Sequence, residues 1–90
     1  MSGPGGAPAR SPAYELFHEL SGDGNVRVRR EIMARGLKPL IDFRNIYWPE
    51  DRAAFDALHG TRTPALWDGD RLHEGEDAVM AVLGALRGRA

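Results

Sequence analysis

Apolar positions along the chain fall into short clusters whose spacing changes from one to the next. Ala13 to His18 (AYELFH) is a compact β-prone run with two aromatics, the pattern of a buried strand. Leu20 to Asn25 (LSGDGN) interrupts it with two glycines. Val28 and Ile32 then recur at helical spacing, with Asn25 or Asp23 as the expected cap and Gly36 as the stop. Leu40 to Arg44 (LIDFR) alternates toward a strand. Trp48-Pro49-Glu50-Asp51 places a proline at the first helical position and acids in the first turn, and Gly60 ends that second helix. Ala65-Leu66-Trp67, Asp68-Gly69 and Asp70-Arg71-Leu72-His73 form a hairpin pattern with a tight turn. Ala78, Val79, Val82, Leu83 and Leu86 make a last apolar stripe at helical spacing.

The order predicted is β-α-β-α-β-β-α, an α/β fold with a four-stranded mixed sheet flanked by three helices. Two helical crossovers predict parallel pairing of the first three strands, and the hairpin adds an antiparallel edge strand. Residues 13–88 carry the pattern as a single domain. Residues 1–12 are rich in Gly, Pro, Ala and Ser without periodicity, the composition of a disordered tail.

Composition narrows function mainly by exclusion. A net charge of -1 gives no field for nucleic acid and no polybasic membrane anchor. The basic residues are Arg apart from Lys38. The N-terminus has no apolar core of a secretory signal, and no segment has the length of a membrane span, so the expected location is the cytoplasm. Absence of cysteine removes disulfides, thiolate metal sites and cysteine nucleophiles. His18, His59 and His73 are scattered without metal-ligand spacing, so no metal is expected.

Three local features together carry a resemblance. They are Arg27-Val28-Arg29 with Ile32 and Gly36-Leu37, then Thr63-Pro64-Ala65-Leu66-Trp67-Asp68-Gly69, then His73-Glu74-Gly75-Glu76-Asp77. In this order, Tyr14 to Leu86 resembles the glutaredoxin and glutathione S-transferase N-terminal branch of the thioredoxin-like fold. The resemblance implies a cis bond before Pro64. It also implies a ligand groove between the loop Gly22, Asp23, Gly24, Asn25, the pair Thr63-Pro64, and the helix start Glu74, Gly75, Glu76, Asp77. The family's Cys-Pro-Tyr-Cys motif falls on Gly22-Asp23-Gly24-Asn25, where no sulfur is present. Thiol–disulfide exchange requires a thiolate, so that activity is excluded.

The leading expectation is therefore a redox-inactive, glutaredoxin-like binding or protein-interaction module. The alternative is a glutathione-binding, transferase-like enzyme in which Ser21 supplies the hydroxyl. Such enzymes also use a helical second domain beyond the span read here. The main chain of Thr63 is expected to pair with an extended peptide such as glutathione. Glu74, Glu76 and Asp77 read first as helix-start acids, and as three carboxylates they oppose an anionic ligand unless Arg62 or another cation compensates.

Arg27, Arg29, Arg30 and Arg35 give the first helix a basic surface. The preceding loop lacks both the P-loop and the dinucleotide fingerprint, so a solvated face is expected there. Val26, Met33 and Leu37, with Leu20, form a second apolar row to be covered by the loop or by another chain, a homodimer or a protein partner. Trp48 and Trp67 are expected in the core or on the rim of the groove.

Overall fold

The computed structural model describes residues 14–86, so the expected tail over 1–12 lies outside the described residues. Strands β1 (Tyr14–His18), β2 (Ile41–Asn45), β3 (Ala65–Trp67) and β4 (Leu72–Glu74) form one open mixed sheet in the order β2-β1-β3-β4. Helices α1 (Asp23–Ala34), α2 (Pro49–Ala57) and α3 (Glu76–Ala85) complete the α/β architecture, with a single 3-10 turn at Lys38–Leu40.

Adjacent residues on a strand point to opposite faces. Leu16 and Phe17 of β1 are both fully buried, so the sheet is covered on both sides. On one face Leu16 and Leu66 pack with Val28 and Ile32 of α1 and Val79 and Leu83 of α3. On the other, Phe17 and Ala65 pack with Ile46 and with Phe55 of α2, whose ring centroid lies 5.3 Å from that of Phe17. Each of these large side chains contributes about 1.5–3 kcal/mol on burial. Leu37, placed by sequence on a second apolar row of α1, lies beyond the helix and is wholly buried in the first cluster. Of that row, Val26 is half-buried, and Met33 and Leu20 are exposed.

The expected strand directions need one correction. β1 and β2 are parallel, but β3 runs antiparallel to β1, with Phe17 opposite Ala65 and Glu15 opposite Trp67. The chain therefore enters β3 at the end of the sheet where β1 leaves it. α2 has only nine residues and a rise of about 14 Å. It packs Phe55 beside Phe17 at that same end instead of carrying the chain back across the sheet. The edge strand β4 is antiparallel to β3, as the hairpin pattern predicts.

Helix boundaries follow local chemistry, with two departures. α1 starts after Gly22, whose φ of 98° suits glycine. It ends in a Schellman closure, in which the Leu37 N–H donates to the Ile32 carbonyl at 2.9 Å and Gly36 takes a φ of 66°. Neither Asp23 nor Asn25 caps α1 through its side chain, because Asn25 is inside the helix and turned elsewhere. α2 ends at Ala57, and the left-handed residue that closes it is His59, not Gly60. His59 adopts the left-handed conformation at φ 62°, and Gly60 lies against the Phe55 ring. The β3–β4 connection is also longer than a two-residue turn, spanning residues 68–71.

Candidate functional site

Three chain segments meet at the end of the sheet where β1 finishes: the loop into α1, the entry to β3, and the start of α3. The Thr63–Pro64 peptide is cis, the geometry implied by the resemblance, and Pro64 is buried. Gly24 is the point of closest approach. A methyl group built on it would lie 3.4 Å from Glu76 Cβ and 3.5 Å from Pro64 Cδ. The structure thus brings together Gly24, Asn25, Thr63, Pro64 and Glu76. Gly22 lies exposed at the end of the loop, Asp23 is exposed at the start of α1, and Asp77 is exposed on α3.

At the centre is a polar network closed by Asn25, whose residue is only 4% exposed. Its Nδ2 donates to Thr63 Oγ1 at 3.2 Å, and its Oδ1 accepts from the Glu19 N–H at 3.0 Å. The Thr63 hydroxyl donates to Glu19 Oε2 at 2.7 Å. The β1–α1 loop and the first turn of α1 are thus tied by an amide and a carboxylate to the residue before Pro64. The main-chain N–H and C=O of Thr63 have no backbone hydrogen-bond partner among the described residues.

The acids of the third segment have separate tasks. Glu76 accepts two bonds from Arg27, Nε to Oε2 at 2.5 Å and Nη2 to Oε1 at 2.7 Å. The Arg27 hydrogen bond holds the Glu76 carboxyl below the usual range. Glu74 points back to the loop before β3, where its Oε1 accepts from the amides of Thr61 at 2.7 Å and Arg62 at 3.0 Å, and from the Thr61 hydroxyl at 3.1 Å. Burial pushes the Glu74 carboxyl up, but these amides outweigh it and the group stays below its ordinary value. The Gly75 N–H donates to the Pro64 carbonyl at 2.8 Å, with the Arg62 guanidinium over its Cα. Two of the three carboxylates are thus engaged by the protein itself.

A separate opening lies elsewhere. A groove of about 620 Å³ runs between the β1–α1 loop and the β2–α2 connection, lined by Leu20, Ser21, Ile46, Tyr47, Pro49 and Arg52 among others. Ser21 belongs to this groove, and its hydroxyl makes no hydrogen bond among the described residues. Neither Thr63 nor Pro64 lines it. Leu20 and Tyr47 of its lining are exposed by 72% and 79%, and the neighbouring Trp48 by 55%. Trp67, by contrast, packs on the second core cluster.

The chain matches no protein-family model, and no curated protein is significantly similar to it. Function therefore has to be argued from the geometry.

The basic surface expected on α1 is largely committed. Arg27 holds Glu76, while Arg29 turns back to the loop, donating from Nη1 to the Glu19 carbonyl at 2.5 Å and from Nη2 to the Leu20 carbonyl at 3.0 Å. Arg35 reaches the Leu86 carbonyl at 3.3 Å. Sequence reasoning missed Glu19 and the pairing of Arg27. Their partners lie 44 and 49 positions away, and no local signal announces them. Among the described residues no group of three or more acidic or histidine side chains could hold a metal ion, and no helix is long and apolar enough to cross a membrane.

Proposed function

We propose that this chain is a thioredoxin-like domain of glutaredoxin type that has no thiol chemistry and binds an extended peptide segment beside Pro64. The observation that carries this reading is the unpaired main chain of Thr63, next to a side-chain network that fixes its position. A free N–H and C=O at the entry of a strand can accept one more extended chain, with affinity coming from backbone hydrogen bonds. The sheet order β2-β1-β3-β4, with β3 and β4 antiparallel to their neighbours, supports the fold assignment. The absence of cysteine from the sequence removes the redox reaction.

A protein segment suits the groove better than glutathione does. A γ-glutamyl group needs a free carboxylate for its amine and free amides for its own carboxylate. Glu76 and Glu74 are occupied by Arg27 and by the 61–62 amides, and the Gly75 N–H by Pro64, which leaves Asp77 alone of the three acids open to an amine.

Selection from a displayed random-peptide library tests this reading. Enriched sequences, resynthesised and measured by calorimetry, are expected to bind. They should lose affinity when the residue opposite Thr63 is N-methylated, because that change removes a backbone donor. Enriched peptides indifferent to N-methylation at every position would refute strand addition.

A further inference from the structure

We propose that His18 and Arg29 form a proton-sensitive latch that holds the β1–α1 loop closed at neutral pH and releases it in acid. This inference concerns the loop's conformation and stands whether or not the Thr63 groove binds a peptide.

The geometry starts with an imidazole at the end of β1 that is only 6% exposed. Its Nδ1 lies 3.2 Å from Arg29 Nη1. A guanidinium can only donate, so this contact is a hydrogen bond when Nδ1 accepts, that is, in the neutral tautomer with its proton on Nε2. The same guanidinium donates to the carbonyls of Glu19 and Leu20. One arginine therefore reads the protonation state of His18 and holds the two residues that begin the loop.

The surroundings favour the neutral ring. Burial lowers the His18 pKa from its ordinary 6.5, and the charge of Arg29 lowers it further, while the hydrogen bond involving the Glu19 backbone and the more distant Asp51 carboxylate oppose this. From β2, the Phe43 ring meets His18 edge-on at 5.5 Å, with the Lys38 ammonium 4.8 Å from the Phe43 centroid. Asp51 is itself engaged by Arg44 at 2.9 Å. The charges facing His18 are therefore one adjacent cation, Arg29, and one committed anion, Asp51.

Protonation places an N–H on Nδ1 facing the N–H of Arg29. The contact changes from attractive to repulsive inside a desolvated site, where a second positive charge is costly. The available relief is for the guanidinium to swing out, which strips the Glu19 and Leu20 carbonyls of their donor. Glu19 also supplies the carboxylate that accepts from Thr63, so the loop's release propagates to the residue beside Pro64.

An NMR pH titration of the whole chain tests the latch, from about pH 8 to about pH 5, the range in which histidine alone among unperturbed side chains changes charge. Long-range nitrogen–proton spectra should show the Nε2–H tautomer at the upper end and a ring midpoint below 6.5. The amide signals of Leu20 and Ser21 should move with that same midpoint. Arg29→Gln should raise the ring midpoint and remove most of the loop response, and His18→Phe should abolish it. Should the Phe variant fail to fold, the wild-type and Arg29→Gln titrations decide the matter alone. A neutral ring protonated at Nδ1, or loop amides whose midpoint differs from that of the ring, overturns the proposal.

Discussion

The side-chain amide of Asn25 donates to the hydroxyl of Thr63 at 3.2 Å, joining α1 to the entry of β3 across 38 positions of sequence. The same amide group fixes the Glu19 N–H, so one buried residue holds both walls of the candidate groove. Replacing Asn25 by Ala leaves the Glu19 N–H without that partner and breaks the bridge to Thr63. The expected cost is about 1–3 kcal/mol, the range for orphaning a buried polar group. Urea denaturation monitored by tryptophan fluorescence should show a lower midpoint with an unchanged slope; an unchanged midpoint would remove Asn25 from its central position.

A second expectation concerns acid. In the β3–β4 connection, Asp68 Oδ2 lies 2.8 Å from His73 Nε2, and Oδ1 accepts the amides of Asp70 and Arg71 at 2.8 Å each. The His73 bond first, then the two amides, lower the Asp68 pKa from 3.8 to about 2. The folded state therefore holds its proton less tightly than the unfolded state. The resulting stabilisation is fully present above pH 3.8 and is lost as pH falls from there through about 2. Asp68→Asn should flatten the stability curve within that window, and carbon NMR of His73→Gln should find Asp68 titrating closer to 3.8.

Two neighbouring substitutions after α2 should have opposite signs. A Cβ on Gly60 would lie 2.2 Å from the buried Phe55 ring. Gly60→Ala should therefore destabilise by about 1–3 kcal/mol through overpacking. His59 occupies a left-handed backbone position at φ 62°. His59→Gly should stabilise by up to about 1 kcal/mol, because glycine lacks the Cβ that makes this conformation costly. Thermal denaturation of both variants checks the pair.

The Arg27–Glu76 ion pair sets a local acidity. Its hydrogen bond holds the Glu76 carboxyl low, although both side chains remain accessible to solvent. Arg27→Ala should let Glu76 titrate closer to an ordinary glutamate while leaving the thermal midpoint nearly unchanged, since exposed pairs add little to stability. A carboxyl titration by carbon NMR reads the first quantity, and a large loss of thermal stability would assign this pair a structural role.

These residues also mark where sequence reading succeeded and stopped. Periodicity placed all seven elements, because a buried strand such as residues 14–18 and an amphipathic helix such as α1 impose their own spacing. It misjudged the direction of β3, since direction depends on where α2 packs and not on the local pattern of Ala65-Leu66-Trp67. Gly24, Asn25, Thr63, Pro64 and Glu76 lie together in the structure, a juxtaposition that the resemblance implied and that no local pattern announces. Asn25 was assigned to capping, however, because a polar residue after glycines is locally indistinguishable from one whose partner is Thr63. Glu19 was invisible for the same reason: its role exists only once β1 and β3 lie side by side.

The central claim is that the groove beside Pro64 takes an extended peptide through the Thr63 main chain. Nitrogen–proton chemical-shift mapping with a library-selected peptide, run in parallel with reduced glutathione up to millimolar concentration, tests it most directly. The expected result is saturable perturbation at Thr63, Ala65 and Glu19 by the peptide and none at these positions by glutathione. Saturable shifts at Thr63 and Glu76 with glutathione, and silence with the peptide, would contradict the claim.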